Sequence, residues 1–350
     1  MYSKSEKVTR LNSEKGFSLI ELTISFALFL IVSAAVFGLL QVARESKTVV
    51  SENSALNKNV RMALNIVGRD TYNAGFGYPL RNTVILPDNR LSTLLGIPND
   101  SNTTRDTVAP IIAGNNLTVN TYNTAANIRT DQITMLFKDT TFNQVGGVSQ
   151  PLSINAATTT SGGIDEIIPL SGSNTLCRVN DLYLISGNTG STIGVSTALS
   201  GSNIVQFSNG DGLGFNQTGT SGPLRSITVP ASIQRIRMIT YFVTADGTFT
   251  RREYANVLPA TGFVDEPLIY GVEDFQIQYV MDDGSLSDNP SAGPNGIPGD
   301  ADDTPTNLAA VRQVRFTVSV RSTELNAADQ PYRFSQTTTF STRNLGYDVN

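Results

Sequence analysis

The sequence has no histidine, no tryptophan and a single cysteine, Cys177, in 350 residues. Without histidine there is no Cys/His zinc site and no His-based catalytic triad. One cysteine closes no disulfide within the chain, although a chain of this length can bury a core without one. Cys177 lies in NTLCRVND, just before a strand-like run, and reads as a small buried apolar residue rather than a reactive thiol. The missing tryptophan weakens any carbohydrate-cleft reading. Charge is scarce as well: charged residues are 16% against 39% hydrophobic. Ser, Thr, Asn and Gly make up the difference, which favours strands, turns and long loops over helices. The net charge of −5 and pI of about 4.9 are opposite to the balance of a non-specific nucleic-acid binder, so no general nucleic-acid binding is expected. Beyond the first helix Lys138 is the only lysine, which leaves a Ser–Lys nucleophile one candidate base and no motif around it. The carboxylate pairs Asp265/Glu266 and Glu273/Asp274 fall in strand patterns, where adjacent side chains face opposite ways, so neither pair converges on a substrate. Together these absences argue against an enzyme.

What is present begins at the N-terminus. Residues 1–16, MYSKSEKVTRLNSEKG, carry Lys4, Lys7, Arg10 and Lys15 and no apolar core. Residues 17–40 follow as FSLIELTISFALFLIVSAAVFGLL, about 24 residues with a single charge, long enough to span a lipid bilayer as a helix. The basic leader is expected to stay cytoplasmic and the rest of the chain to face out. A secretory signal has its small-residue cleavage site beyond the apolar run. Here the small residue, Gly16, precedes it, so cleavage after Gly16 would remove the leader and keep the anchor. Glu21 is the feature a plain signal anchor does not explain, because a carboxylate in the apolar core costs roughly 2.5–3.5 kcal/mol on insertion scales. Cleavage would create an α-amine on Phe17, four residues earlier, able to neutralise its own Glu21 or that of a neighbouring subunit. Pairing between subunits would set the axial register of packed helices, the best-attested use of a buried ion pair.

The stretch Lys15-Gly16-Phe17-Ser18-Leu19-Ile20-Glu21-Leu22 resembles the processing and methylation motif of the type IV prepilin superfamily at every expected position. The resemblance implies cleavage between Gly16 and Phe17 by a membrane prepilin peptidase/methyltransferase, N-methylation of Phe17, and recruitment to a growing fibre through Glu21.

After the apolar run, Val42, Val49, Leu56, Val60, Ala63, Leu64 and Val67 recur on one face of a 3.6-residue period, opposite Glu45, Lys47, Glu52, Asn57, Lys58 and Arg61. This predicts an amphipathic extension of the same helix, ended by Gly75, Gly77 and Pro79. Gly38 stands where many major pilins carry a helix-breaking proline, and local unwinding there in a fibre is expected. Beyond residue 80 the period changes to two. VRFTVSVR and EDFQIQYV alternate cleanly, and further strands are predicted at 133–137, 182–185, 204–207, 233–243, 249–254 and 332–341. Asp246-Gly247 marks a hairpin. Residues 86–130 and 139–165 read as long loops or an inserted β region. The expected fold class is therefore α+β and pilin-like, with one long N-terminal helix packed on a large, mainly antiparallel β head with long polar loops. The expected divisions are a leader at 1–16, a transmembrane half-helix at 17–43, an amphipathic half-helix at 44–76 and the head at 77–350.

Three stretches narrow the resemblance. MALNIVGRDTYNAGFG at 62–77, PLIYGVEDFQIQYVMDDG at 267–284, and LAAVRQVRFTVSVRSTE with YRFSQTTTFSTRNLG at 308–346 resemble PilW-type minor pilins, with GspJ-type pseudopilins of type II secretion as the close rival. The resemblance implies a low-abundance subunit that associates with other minor pilins and the major pilin, engages an inner-membrane assembly platform, primes pilus assembly and sits at or near the fibre tip. Its head would face the periplasm, then the cell surface. A tip adhesin using the polar region 86–169 is the alternative from another class. The segment MDDGSLSDNPSAGPNGIPGDADDT is rich in oxygen ligands and suits Ca²⁺, with Asp282, Asp283, Asp300 and Asp302 as candidate ligands, or else is a solvated acidic loop.

Overall fold

The structure is a computed structural model and describes residues 16–79, 84–98, 105–120, 128–155, 159–161, 165–216, 227–256, 262–288, 308, 310–326 and 329–345. Helix α1 spans Leu19–Asn73 and runs without interruption through Gly38. A short helix, α2, covers Arg90–Leu95. The strands in chain order open with β1 Val84–Leu86, β2 Asp106–Thr107, β3 Ile111–Val119, β4 Arg129–Lys138, β5 Gln144–Val145, β6 Val148–Ser149 and β7 Leu152–Ile154. Then come β8 Thr159–Ser161, β9 Asp165–Pro169, β10 Leu182–Gly187, β11 Gly190–Val195, β12 Ala198–Ser200, β13 Ile204–Ser208 and β14 Ala231–Val243. The last six are β15 Phe249–Tyr254, β16 Phe263–Ile269, β17 Val272–Met281, β18 Leu286–Ser287, β19 Val311–Leu325 and β20 Pro331–Ser341.

The fold is α+β, with the C-terminal part of α1 packed on a large, mainly antiparallel β region. A ten-stranded sheet turns on the long strand β14. Its N-terminal half pairs with β10 and β7, and its C-terminal half with β4 and β15. Among the described pairings only β1 with β11 is parallel. A second sheet runs β12-β13-β9-β8 and a third runs β18-β17-β19-β20. The β14–β15 hairpin turns at Asp246-Gly247 as predicted, with Gly247 at φ +81, a conformation open to glycine at little cost.

The main core explains why the helix pattern changes along its length. Leu56, Val60, Ala63, Leu64 and Val67 are buried against Ile133, Met135 and Phe137 of β4, Tyr241 of β14, and Phe275 and Phe316 of the third sheet. Val42 and Val49, on the same predicted stripe, are exposed, so burial of that face begins at Leu56. In β17 and β19 the alternation holds: Phe275, Ile277 and Tyr279, and Val314, Phe316, Val318 and Val320, all face the core.

The region expected as loops or inserted β holds the short helix α2 and several strands among its described residues, and it is not separable from the head. Strand β3 lies within it, pairs with the predicted strand β4, and contributes Ile111 and Ala113 to the main core. Strand β3 was not predicted. A register shift between Gly114 and Thr118 breaks its alternation, and a bulge of that kind erases the period-two signal.

Candidate functional site

Phe17 is 87% exposed and Gly16 is exposed, just ahead of α1. Ser18 is the first residue with a helical bond: its carbonyl accepts from the Leu22 N–H at 3.2 Å. Its hydroxyl accepts from the Glu21 N–H at 3.2 Å, while the Ser18 N–H donates to Glu21 Oε2 at 3.0 Å. This is a reciprocal capping box, which satisfies two of the N–H groups that every helix start leaves without partners. The spacing Ser-x-x-Glu before an apolar run is the sequence signal for it, and it gives Ser18 a role beside Glu21. In the intact chain Phe17 N is an amide, so the amine that cleavage would create is absent and the carboxylate is engaged locally. From Leu19 onward the apolar side chains of α1 are exposed through Leu40, and the helix is long and apolar enough to cross a membrane.

In the head, charge is concentrated where α1 meets the sheet. Asp70, 1% exposed, accepts at Oδ2 from the Tyr241 hydroxyl at 2.6 Å and from Arg251 Nε at 3.2 Å. Arg251 Nη1 reaches Glu253 Oε2 at 3.1 Å, and Glu253 takes a two-pronged contact from Arg237 at 2.8 and 2.6 Å. Burial alone would raise the Glu253 pKa, but Arg237 and Arg251 outweigh it and hold the carboxyl below its usual range. Burial and the Asp70 charge push the Tyr241 hydroxyl up, so it stays a donor. None of these residues was singled out from the sequence, because Asp70 sits on a polar-looking stretch, RDTYN, and its partners lie about 170 residues away.

A second cluster joins three segments through Arg235, whose Nε donates to Asp139 Oδ2 at 2.7 Å and whose Nη1 donates to Asp181 Oδ2 at 3.0 Å. Cys177 is buried beside it, and burial pushes its thiol up to about 11, as suits an inert apolar residue. Lys138 donates to the Ser149 carbonyl, and burial lowers its pKa. The two carboxylate pairs diverge as strand geometry requires: Asp265 meets Arg252 and Glu266 meets Arg251, while buried Glu273 pairs with Arg333 at 2.9 Å and Asp274 accepts from Gln276. Of the candidate calcium ligands, Asp282 and Asp283 are exposed at the β17–β18 turn, with Asp283 accepting from the Ser285 N–H at 2.8 Å. Asp300 and Asp302 lie outside the described residues. Among the described residues no group of three or more acidic or cysteine side chains is placed to hold a metal ion.

The C-terminal Arg343-Asn344 of the resemblance has a structural role. Asn344 Nδ2 donates to the Tyr72 carbonyl at 2.7 Å, capping the end of α1, and Arg343 lies over the Tyr72 ring at 5.7 Å.

The family profile described as the prokaryotic N-terminal methylation motif matches residues 11–37. That span covers Gly16, Phe17, the capping box and most of the exposed apolar run, and it marks the chain as a type IV prepilin-like protein. The class is that of pilins and pseudopilins, which associate with other subunits of their kind and with a prepilin peptidase. No curated protein matches the chain significantly.

Proposed function

We propose that the chain is a minor pilin of a type IV pilus. It inserts in the inner membrane by the first part of α1, with the head in the periplasm, and is cleaved after Gly16 and methylated at Phe17. It then primes assembly with other minor pilins, associates with the major pilin and stands at or near the tip. The observation that carries this reading is the sequence Gly16-Phe17-Ser18-Leu19-Ile20-Glu21 at the head of one continuous helix whose apolar side chains are exposed from Leu19 to Leu40. An anchor of this kind is retained after processing and leaves Glu21 at membrane depth, where an ionisable group marks a functional contact. The work of the chain is structural, and ATP hydrolysis would come from separate cytoplasmic machinery.

A minor pseudopilin of type II secretion shares every N-terminal feature, and one experiment separates the two. The gene is deleted, then complemented with wild type or Glu21→Ala, and surface pili are counted alongside type II secreted enzyme. The expected result is loss of pili with secretion intact, restored by wild type and not by Glu21→Ala. Loss of secretion with normal pili would move the chain to the pseudopilins. Survival of both would overturn an assembly role.

A further inference from the structure

Every sheet has edges, and an open edge presents N–H and C=O groups that will pair with any available strand. This chain blunts nearly all of its own. Strand β16 carries exposed Asp265, Glu266 and Pro267, the charges and proline that deter pairing. Strands β2 and β18 are two residues long, β7, β8 and β12 are three, and the edge of β3 is broken by its register shift.

Strand β20 is different. It is 11 residues long, has proline only at its first position, and keeps one register against β19 from Arg333 to Ser341. The Thr342 N–H donates to the Arg312 carbonyl at 3.0 Å, which sets the alternation of the ladder. Backbone groups at 334, 336, 338 and 340 turn toward β19, and those of Arg333, Ser335, Thr337, Thr339 and Ser341 turn away. Among the described residues no strand pairs with that outer edge. Its surroundings state what would fit. On the side facing α1, Phe334 and Phe340 are only partly buried against the core, and Tyr72 beside Phe340 is 41% exposed. The other face carries small Ser335, Thr337 and Thr339. Exposed Arg333, already paired with Glu273 at 2.9 Å, stands at one end of the edge; at the other, exposed Arg343 lies over the Tyr72 ring, and exposed Arg69, 3.5 Å from Asp70, precedes Tyr72 by three residues on α1.

We propose that the outer edge of β20 receives an extended strand from a different subunit of the assembly. The incoming strand has apolar side chains at alternate positions, covering Phe334, Phe340 and Tyr72, and a carboxylate near the end that meets the exposed Arg69/Arg343 pair. Main-chain bonds supply the affinity and the alternate side chains the specificity. That the partner is a pilin-class subunit rests on the function proposed above; the open edge itself does not.

The test uses the full chain in its host with two edge-blocking variants. Thr337→Pro removes one outward N–H, and Ser335→Lys/Thr339→Lys charges the rim while leaving the backbone whole. Both are compared with Glu21→Ala for surface pili, secretion, chain level and processing, with thermal midpoints of the purified proteins as the folding control. Amide exchange at 335, 337, 339 and 341 is read in the purified chain in detergent and in assembled fibres. The proposal expects both edge variants to be processed and to melt like wild type, yet to lose most assembly, with these amides fast in the isolated chain and at least tenfold slower in the assembly. Normal assembly by the Lys double variant, or fast outward amides in the assembly, would overturn it. Protection of the same amides in the purified chain as its concentration rises, abolished by Thr337→Pro, would mean that a second copy covers the edge and would also overturn it. If Glu21→Ala is without effect as well, it is the pilin reading that fails rather than the edge.

Discussion

Asp70 lies in the last turn of α1, where a negative charge opposes the helix dipole. It is tolerated there because Tyr241 and Arg251 meet it within the core. Removing one partner of such a buried pair leaves the other charged and desolvated, so Asp70→Ala is expected to cost about 3–5 kcal/mol. Urea midpoints of the full chain in detergent check this, and Asp70→Asn, which still accepts from Tyr241, should lose less. Asp131 behaves in the opposite sense. Its carboxylate is buried between the first and third sheets, accepting from the Asn116 N–H at 2.8 Å and the Ile277 N–H at 2.7 Å. Burial pushes it up to about 6, against the pull of those two N–H groups and with help from Asp288 and Asp274. The folded chain therefore holds a proton that the unfolded chain, at about 3.9, releases. This contribution to stability is greatest below the unfolded value and is lost as pH rises through about 6. Thermal midpoints recorded between pH 4 and 7 should fall with this slope in wild type and lose that component in Asp131→Asn. At the N-terminus Ser18→Ala should cost about 1 kcal/mol of helix stability, with Ser18→Thr close to wild type. Circular dichroism of a micelle-bound peptide covering residues 17–40 reads it as fraying of the first turn.

At the scale of the element, α1 has two surfaces with different causes. Its first part is apolar all round and exposed, the pattern of a membrane span, and from Leu56 it buries one stripe. Gly68 sets the closeness of that packing: a Cβ there would lie 2.3 Å from the Phe340 ring. Gly68→Ala should therefore destabilise by about 1–3 kcal/mol through overpacking, despite the higher helix propensity of alanine. Combining it with Phe340→Leu should recover part of the loss in a double-mutant cycle, and simple additivity would show that the two do not touch. The second part of α1, β17 and β19 were legible from the sequence because each keeps one period over two or more turns or several alternations. Strand β3 was not, since its bulge interrupts the period, and β11, GSTIGV, was hidden by two glycines and by burial on both faces.

For the whole molecule, the processing motif makes a prediction independent of the head. Mass spectrometry of the chain from host membranes should find it beginning at N-methylphenylalanine 17. Gly16→Val should leave the leader attached and the full 350-residue mass intact. The class, the long apolar helix and the candidate residues Gly16, Phe17 and Glu21 were legible in the sequence alone, because they depend on local order: a small residue, an aromatic, and a carboxylate four positions on in an apolar run. The alternation of the last strands was determined in the same way, by neighbours two residues apart. Only the tertiary structure decided that Asp70 meets Tyr241 and Arg251, that Asp131 ties two sheets together, and that Arg343-Asn344 caps α1. Those contacts join residues from about 146 to 272 positions apart, and no local period records such a separation. It also decided that β20, alike in composition to the other late strands, ends its sheet among the described residues, since strand order depends on the path of the whole chain and not on any one segment.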